Sequence, residues 1–190
     1  MIDAEDLTFR TATVADVAAV VPLVGSAYRG DASRAGWTTE ADLLDGQRVD
    51  AAMVSDVVGS ADAEIVLAEA GGRLLACCEL RHRADGLHHL ARMAQASRAV
   101  PGDLEHRVRE LVGGVGRQVL AEGERRAAAR GSARVVLSVL DARAELIAWY
   151  ERRGYVRTGD TAAFPYGDDR FGLPTRDDLS FVLLVKPVGG

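Results

Sequence analysis

Leu146-Ile147-Ala148-Trp149-Tyr150-Glu151-Arg152-Arg153-Gly154-Tyr155 decides how this chain is read. It has the character of a short helix that closes on two arginines and a glycine, and Tyr155-Val156-Arg157-Thr158 then alternates as a strand does. Glycine suits the left-handed conformation that often follows a helix end, and cationic side chains in the last turn complement the negative end of the helix dipole. The stretch therefore predicts a helix, a stop at Gly154 and an immediate strand. Just upstream, Arg134-Val135-Val136-Leu137-Ser138-Val139 has the style of a buried strand.

Further upstream, Gly113-Gly114-Val115-Gly116-Arg117-Gln118 precedes the helical residues that continue to about 130. Glycines ahead of a helix let backbone amides approach a ligand, and the helix start favours phosphate. Arg117 would add charge-assisted contacts. By itself such a cluster also reads as a plain helix break. It lacks the Lys-Ser/Thr of a P-loop, and no clear strand precedes it at the spacing of a dinucleotide fingerprint.

The other elements follow from periodicity. Residues 7–12 alternate as a half-buried strand, and Thr13 with Asp16 forms a shortened capping box for a helix whose pattern meets Pro22, where a kink or break is expected. Residues 30–36 read as a loop. A second helical pattern opens at Thr38 or Thr39 and runs to about Val58. Two strands joined at Gly71-Gly72 read as a hairpin. Alternation in the second places Leu74, Ala76, Cys78 and Leu80 on one face, and Leu75, Cys77, Glu79 and Arg81 on the other. A further strand is expected between residues 86 and 100 and a last one at 179–185. Helices interleaved with hairpin-joined strands predict a mixed sheet covered by helices, in one domain over residues 1–190.

The chain has 190 residues, 48% hydrophobic and 27% charged, with a formal net charge of -5. That balance argues against nucleic acid or an anionic membrane as the partner. No apolar run approaches bilayer length, and the acidic N-terminus does not resemble a signal peptide. Cys77 and Cys78 are adjacent on a strand, so their side chains diverge and a disulfide between them is not expected. A cytoplasmic location is the expectation. His88-His89 offers no third ligand at a recognisable spacing, and no metal site is expected.

Glycine-rich helix start, strand, helix with Trp-Tyr-x-x-x-Gly-Tyr, strand: in this order the chain resembles the GNAT N-acetyltransferase superfamily over roughly residues 7–186. Gly36-Trp37-Thr38-Thr39-Glu40 through Gly46-Gln47-Arg48, and Phe164-Pro165-Tyr166-Gly167 through Arg176-Asp177-Asp178-Leu179, also look like segments of bacterial members of unassigned substrate. The resemblance implies an α/β (α+β) GNAT-like acyl-CoA acyltransferase fold, with a mixed, mostly antiparallel sheet of about seven strands and about four helices. It implies acetyl-CoA as co-substrate, with its pyrophosphate on Gly113, Gly114, Val115, Gly116, Arg117 and Gln118, and Arg143 where many members carry a CoA-contacting Asn. Pantetheine would enter a V-shaped opening between the strand near 88–100 and the strand near 134–139. Tyr150 matches the general acid that protonates the CoA thiolate. The Trp37 segment should border the acceptor side. Two departures stand out: Leu111 replaces the family's Gln or Arg, and Val100-Pro101 lies further from Gly114 than the family's Val-x-Pro turn.

The acceptor would be a small-molecule or peptide amine, and a homodimer is possible by analogy. Glu79, ending an apolar strand, is the candidate general base, although it also reads as a Glu79–Arg81 pair on a solvated face. A Tyr at 150 taken alone also reads as a core ring with its hydroxyl satisfied at an edge. The alternative function is a GNAT-shaped module that binds an acyl-CoA or another ligand without transfer.

Overall fold

The computed structural model describes residues 7–28, 40–46, 48–83, 87–95 and 105–189. The strands are β1 (Thr8–Thr11), β2 (Leu44–Asp45), β3 (Ala63–Ala70), β4 (Arg73–His82), β5 (Leu87–Gln95), β6 (Arg134–Leu140), β7 (Val156–Ala163), β8 (Leu173–Pro174) and β9 (Ser180–Pro187). The helices among the described residues are α1 (Val17–Tyr28), α2 (Ala51–Val58), α3 (Glu105–Ala129) and α4 (Ala144–Glu151). Seven strands form one sheet in the order β1-β3-β4-β5-β6-β9-β7, while β2 and β8 make a small ribbon. Every pairing is antiparallel except β5 with β6. The expected mixed, mostly antiparallel seven-stranded sheet with four helices is what forms. Among the described residues no helix is long and apolar enough to cross a membrane.

Apolar side chains cover both faces of the sheet. On one, Val115, Val119 and Leu120 of α3 and Ile147 and Tyr150 of α4 pack on Ala76, Cys78 and Leu80. On the other, Val20 and Val24 of α1 and Val54 and Val57 of α2 pack on Ile65, Leu67 and Cys77. The two cysteines are free, buried and on opposite faces, as strand alternation requires. The hairpin turns at Gly71 and Gly72, both at positive φ (56° and 71°), which glycine adopts without steric cost.

Four local expectations are corrected. Helix α1 runs through Pro22 without breaking; the residue lies in its second turn, where the missing N–H removes one backbone bond. The second helical pattern is split: Gly46 turns at φ 78°, β2 is drawn into its ribbon, and α2 starts only where Asp50 caps it by accepting from the Met53 N–H at 2.8 Å. In β4 the register shifts, with Ala68 opposite Ala76 but Glu69 opposite Leu74. Leu75 is the extra residue, so it joins the α3 face while Leu74 packs toward α1 and α2. Finally, α3 is continuous through Gly113, Gly114, Val115 and Gly116.

The sheet margin beneath the C-terminal half of α3 carries a polar cluster. Glu64, 7% exposed, accepts from Arg126 Nη1 at 2.7 Å and from Thr11 Oγ1 at 3.0 Å. His82 lies 3.7 Å from Glu64, and its ring meets that of His88 edge-on at 4.6 Å. The ring nitrogens of both histidines are buried with no hydrogen-bond partner among the described residues. Burial, with Arg130 adding to it, holds both pKa values below their ordinary 6.5, so the folded protein keeps them neutral. A lowered folded-state pKa means that the unfolded chain binds the proton more readily. The stability they contribute is thus present above about pH 6.5 and is lost as pH falls below it. Urea unfolding between about pH 7.5 and 5 should show this loss, and His88→Gln should flatten it; an unchanged pH slope in the variant would contradict the assignment.

Candidate active site

The site originates in an incomplete strand pairing. β5 and β6 are in parallel register only at Leu87 with Arg134, His88 with Val135 and His89 with Val136. Beyond those pairs the two strands part, leaving a wedge in the middle of the sheet whose backbone groups are not consumed by each other. The pairing of β5 with β4 is irregular at the same level, Cys77 lying opposite Ala94 but Glu79 opposite Ala91. Such irregularities free backbone groups and re-aim side chains.

A small cavity of about 70 Å³ occupies this wedge, walled by Tyr28, Leu90, Leu137, Arg143, Leu146 and Tyr150. It shares Glu40, Arg48, Ser138, Leu140 and Phe181 with a larger cleft of about 740 Å³. The cleft's further lining includes Asp56, Glu79, His89, Phe164 and Phe171. A space of this size with an apolar wall and a few converging polar groups is a common form of ligand site.

Tyr150 reaches the wedge because α4 begins directly after β6, and Ile147 and Tyr150, one turn apart, present its buried face. The helix stops as the local residues dictate. Arg153 donates its N–H to the Tyr150 carbonyl at 2.8 Å, and Gly154 takes φ 87°. Arg153 also lies over the Trp149 ring at 3.5 Å and donates to the Trp149 carbonyl at 2.7 Å. The Tyr155 hydroxyl donates to Glu124 at 2.9 Å, and Lys186 donates to the same carboxylate at 2.6 Å. Tyr150 is 5% exposed, edge-on to Trp149 and Tyr155, and lines the cavity. Burial pushes its phenol well above the ordinary tyrosine range, so it is neutral and carries its proton. Arg143, the residue ahead of α4, stands in the same cavity wall.

Glu79 is 3% exposed, forms an ion pair with Arg81 and lines the cleft. The pair anticipated from the sequence exists, but on the carboxylate side it is buried rather than solvated. Sequence reasoning missed His89. It was read only together with His88 as a possible metal pair, yet alternation sends the two rings to opposite faces. His88 meets His82, whereas His89 lines the cleft with its Nε2 3.1 Å from Ser138 Oγ across the parallel pair. Burial lowers the His89 pKa, with nearby Glu79 acting in the opposite direction. Strand alternation was the signal that separated the two histidines, but it could not say which face held the cleft.

The anticipated phosphate loop takes a different form. Gly113, Gly114, Val115, Gly116, Arg117 and Gln118 lie inside α3, not at its start, so their amides belong to the helical ladder rather than to an open loop. Val115 is 1% exposed and packs in the same apolar cluster as Tyr150, which ties this turn to the sheet. Arg117 is exposed; burial, with Arg152 and then Arg117 adding to it, lowers the Arg153 pKa. Residues 30–39, Gln47 and the Val100-Pro101 turn lie outside the described residues. Glu40, which borders the first of these gaps, and Arg48, which borders the second, do line the cleft, as do Phe164 and Pro165.

Solved structures share this arrangement over nearly the whole chain. The ribosomal-protein-S18-alanine N-acetyltransferase from Escherichia coli superposes with a TM-score of 0.64 at 14% identity, covering 97% of this chain and 95% of that one. An acetyltransferase of the GNAT family from Streptococcus pneumoniae gives 0.60 at 17% identity, over 96% and 99%. The chain has the GNAT fold. A PaiA N-acetyltransferase from Thermoplasma acidophilum, solved with coenzyme A, agrees at a TM-score of 0.62 and 14% identity, over 95% and 98%. At these identities the likeness is one of fold. No family model and no curated protein matches the sequence. The wedge lies between the two parallel strands singled out from the sequence; Tyr150 and Arg143 line its cavity and Glu79 lines the adjoining cleft.

Proposed function

We propose that the protein is an N-acyltransferase that moves an acetyl group from acetyl-CoA to a primary amine by direct attack. The observation that carries this is the wedge with neutral Tyr150 in its wall, opening into a cleft large enough for an acceptor. Acetyl-CoA would place its thioester in the wedge and supply the activated acyl group. The amine nitrogen attacks the carbonyl carbon, the C–S bond breaks, the departing thiolate takes the Tyr150 proton, and the proton shed by the acylated nitrogen restores the phenol. Backbone N–H groups of β5 beyond His89 suit the carbonyl oxygen as charge develops on it. Arg143 and the α3 segment 113–118 remain the candidate contacts of the CoA chain.

The acceptor ammonium must lose a proton before attack. We assign that proton to His89, a neutral imidazole on the cleft wall, with Glu79 close enough to favour the imidazolium that forms. This moves Glu79 from base to supporting charge. His89→Gln should lower kcat/KM about 100-fold near neutral pH and remove the acidic limb of the pH profile, which should lie below about pH 6.5. Glu79→Gln should keep that limb and shift it to lower pH, since it removes a charge that raises the His89 pKa. The reverse pattern would make Glu79 the base.

A second reading has one observation in its favour. Because α3 is unbroken through its glycines, a module that binds a ligand without transferring anything is the alternative. Calorimetric titration with acetyl-CoA, followed by acceptor-dependent release of free thiol, decides between the two. Binding with thiol release supports the transferase, binding without release over a broad amine panel supports the module, and no binding at millimolar acetyl-CoA counts against both.

A further inference from the structure

Resting on the reading above, the cleft's own chemistry narrows the acceptor. We infer that it is a monoamine carried on an apolar, aromatic body, rather than a polyamine or an aminoglycoside. Two observations lead there independently.

The first is charge. Among the described lining residues the acids are Glu40, Asp56 and Glu79, set against Arg48, Arg81 and Arg170. Glu40 is held by Arg48 at 3.6 Å and Glu79 by Arg81. Arg170 turns away to Asp168, donating at 2.8 Å. Asp56 is therefore the one lining carboxylate with no guanidinium on it among the described residues. A polycation entering this cleft would shed water around several charges and find one open carboxylate in return. Buried charge without a partner is strongly unfavourable. A single ammonium is matched.

The second is the wall. Phe164, 3% exposed, stacks on Phe181 at 5.8 Å with the rings 26° apart, and Phe171 meets Phe164 edge-on at 6.4 Å. Phe171 is 36% exposed and lines the cleft, so this aromatic group is not closed over by the protein's own core. Met53, Val57 and Leu140 continue the apolar lining. An aromatic ring placed here gains edge or stacked contacts and removes exposed apolar surface from water, whereas a sugar or a polyamine gains neither.

The test is equilibrium binding by calorimetry, without acetyl-CoA, so that it is independent of transfer. Tryptamine should bind at least about tenfold more tightly than spermidine or kanamycin. Phe171→Ala and Asp56→Asn, both at exposed positions where the fold should tolerate change, should each weaken tryptamine about fivefold. Spermidine or kanamycin binding as well as tryptamine would overturn the inference. So would undetectable tryptamine binding at millimolar concentration, or a Phe171→Ala protein that binds it unchanged. Failure of acetyl-CoA to bind or to release thiol counts against the transferase reading instead, and is measured separately.

Discussion

Replacing Tyr150 by Phe is expected to lower kcat about 1000-fold, while acetyl-CoA affinity stays within about twofold. The substitution removes one oxygen and keeps the ring. The edge contacts with Trp149 at 5.0 Å and Tyr155 at 5.6 Å and the packing against the α3 cluster therefore persist, and the fold should hold. What disappears is the donor for the leaving sulfur. Burial raises the Tyr150 pKa, so at any working pH the wild-type phenol is protonated and able to donate. The measurement is thiol release at saturating acetyl-CoA with the best acceptor from an amine panel, with binding followed by calorimetry. Unchanged kcat would remove Tyr150 from the chemistry and return it to a packing role. A large fall in affinity with kcat preserved would make it a binding contact.

Glu64→Ala should destabilise the protein by about 3 kcal/mol, at the lower end of what removing one partner of a buried ion pair costs. The carboxylate side chain is 8% exposed and Arg126 is 17% exposed, so the guanidinium left behind has limited access to water. Three elements meet at Glu64: Arg126 from α3 at 2.7 Å, Thr11 from β1 at 3.0 Å and His82 from β4 at 3.7 Å. The loss stays at the lower end because Glu122 still holds Arg126 Nε at 2.7 Å. Urea unfolding near pH 7.5 measures it, and a change below about 1 kcal/mol would show that the network contributes no more than an exposed pair. The cluster lies away from the cleft, so transfer by the folded variant should be unaffected.

Much of the chain could be read from neighbours along the sequence. The stop at Gly154, the hairpin at Gly71-Gly72, the cap at Thr13 and the buried style of β6 depend on residues within a few positions of each other. Capping, turn conformation and alternation are local physics, and these elements formed where expected. Readings that required a competition between local and distant forces fared differently. Alternation in β4 failed at Leu75, because β3 and β4 are in register on both sides of one extra residue. The glycines of α3 weaken that helix by roughly 1 kcal/mol each relative to alanine, yet Val115, Val119 and Leu120 anchor it on the sheet, and no rule of local propensity contains that contact.

By itself, the sequence determined the order of the main-sheet strands and the helices, the helix that delivers Tyr150 and the face on which Glu79 stands, since each follows from spacing along one segment. Only the tertiary structure decided what surrounds them. His89 meets Ser138 from 49 positions away, and the cleft combines Glu40 and Arg48 with Phe164 and Phe181 from the far end of the chain. The physical reason is that the wedge is a pairing that stops. Hydrogen bonding between β5 and β6 ends after three residue pairs, and where two strands part depends on everything packed above and below them.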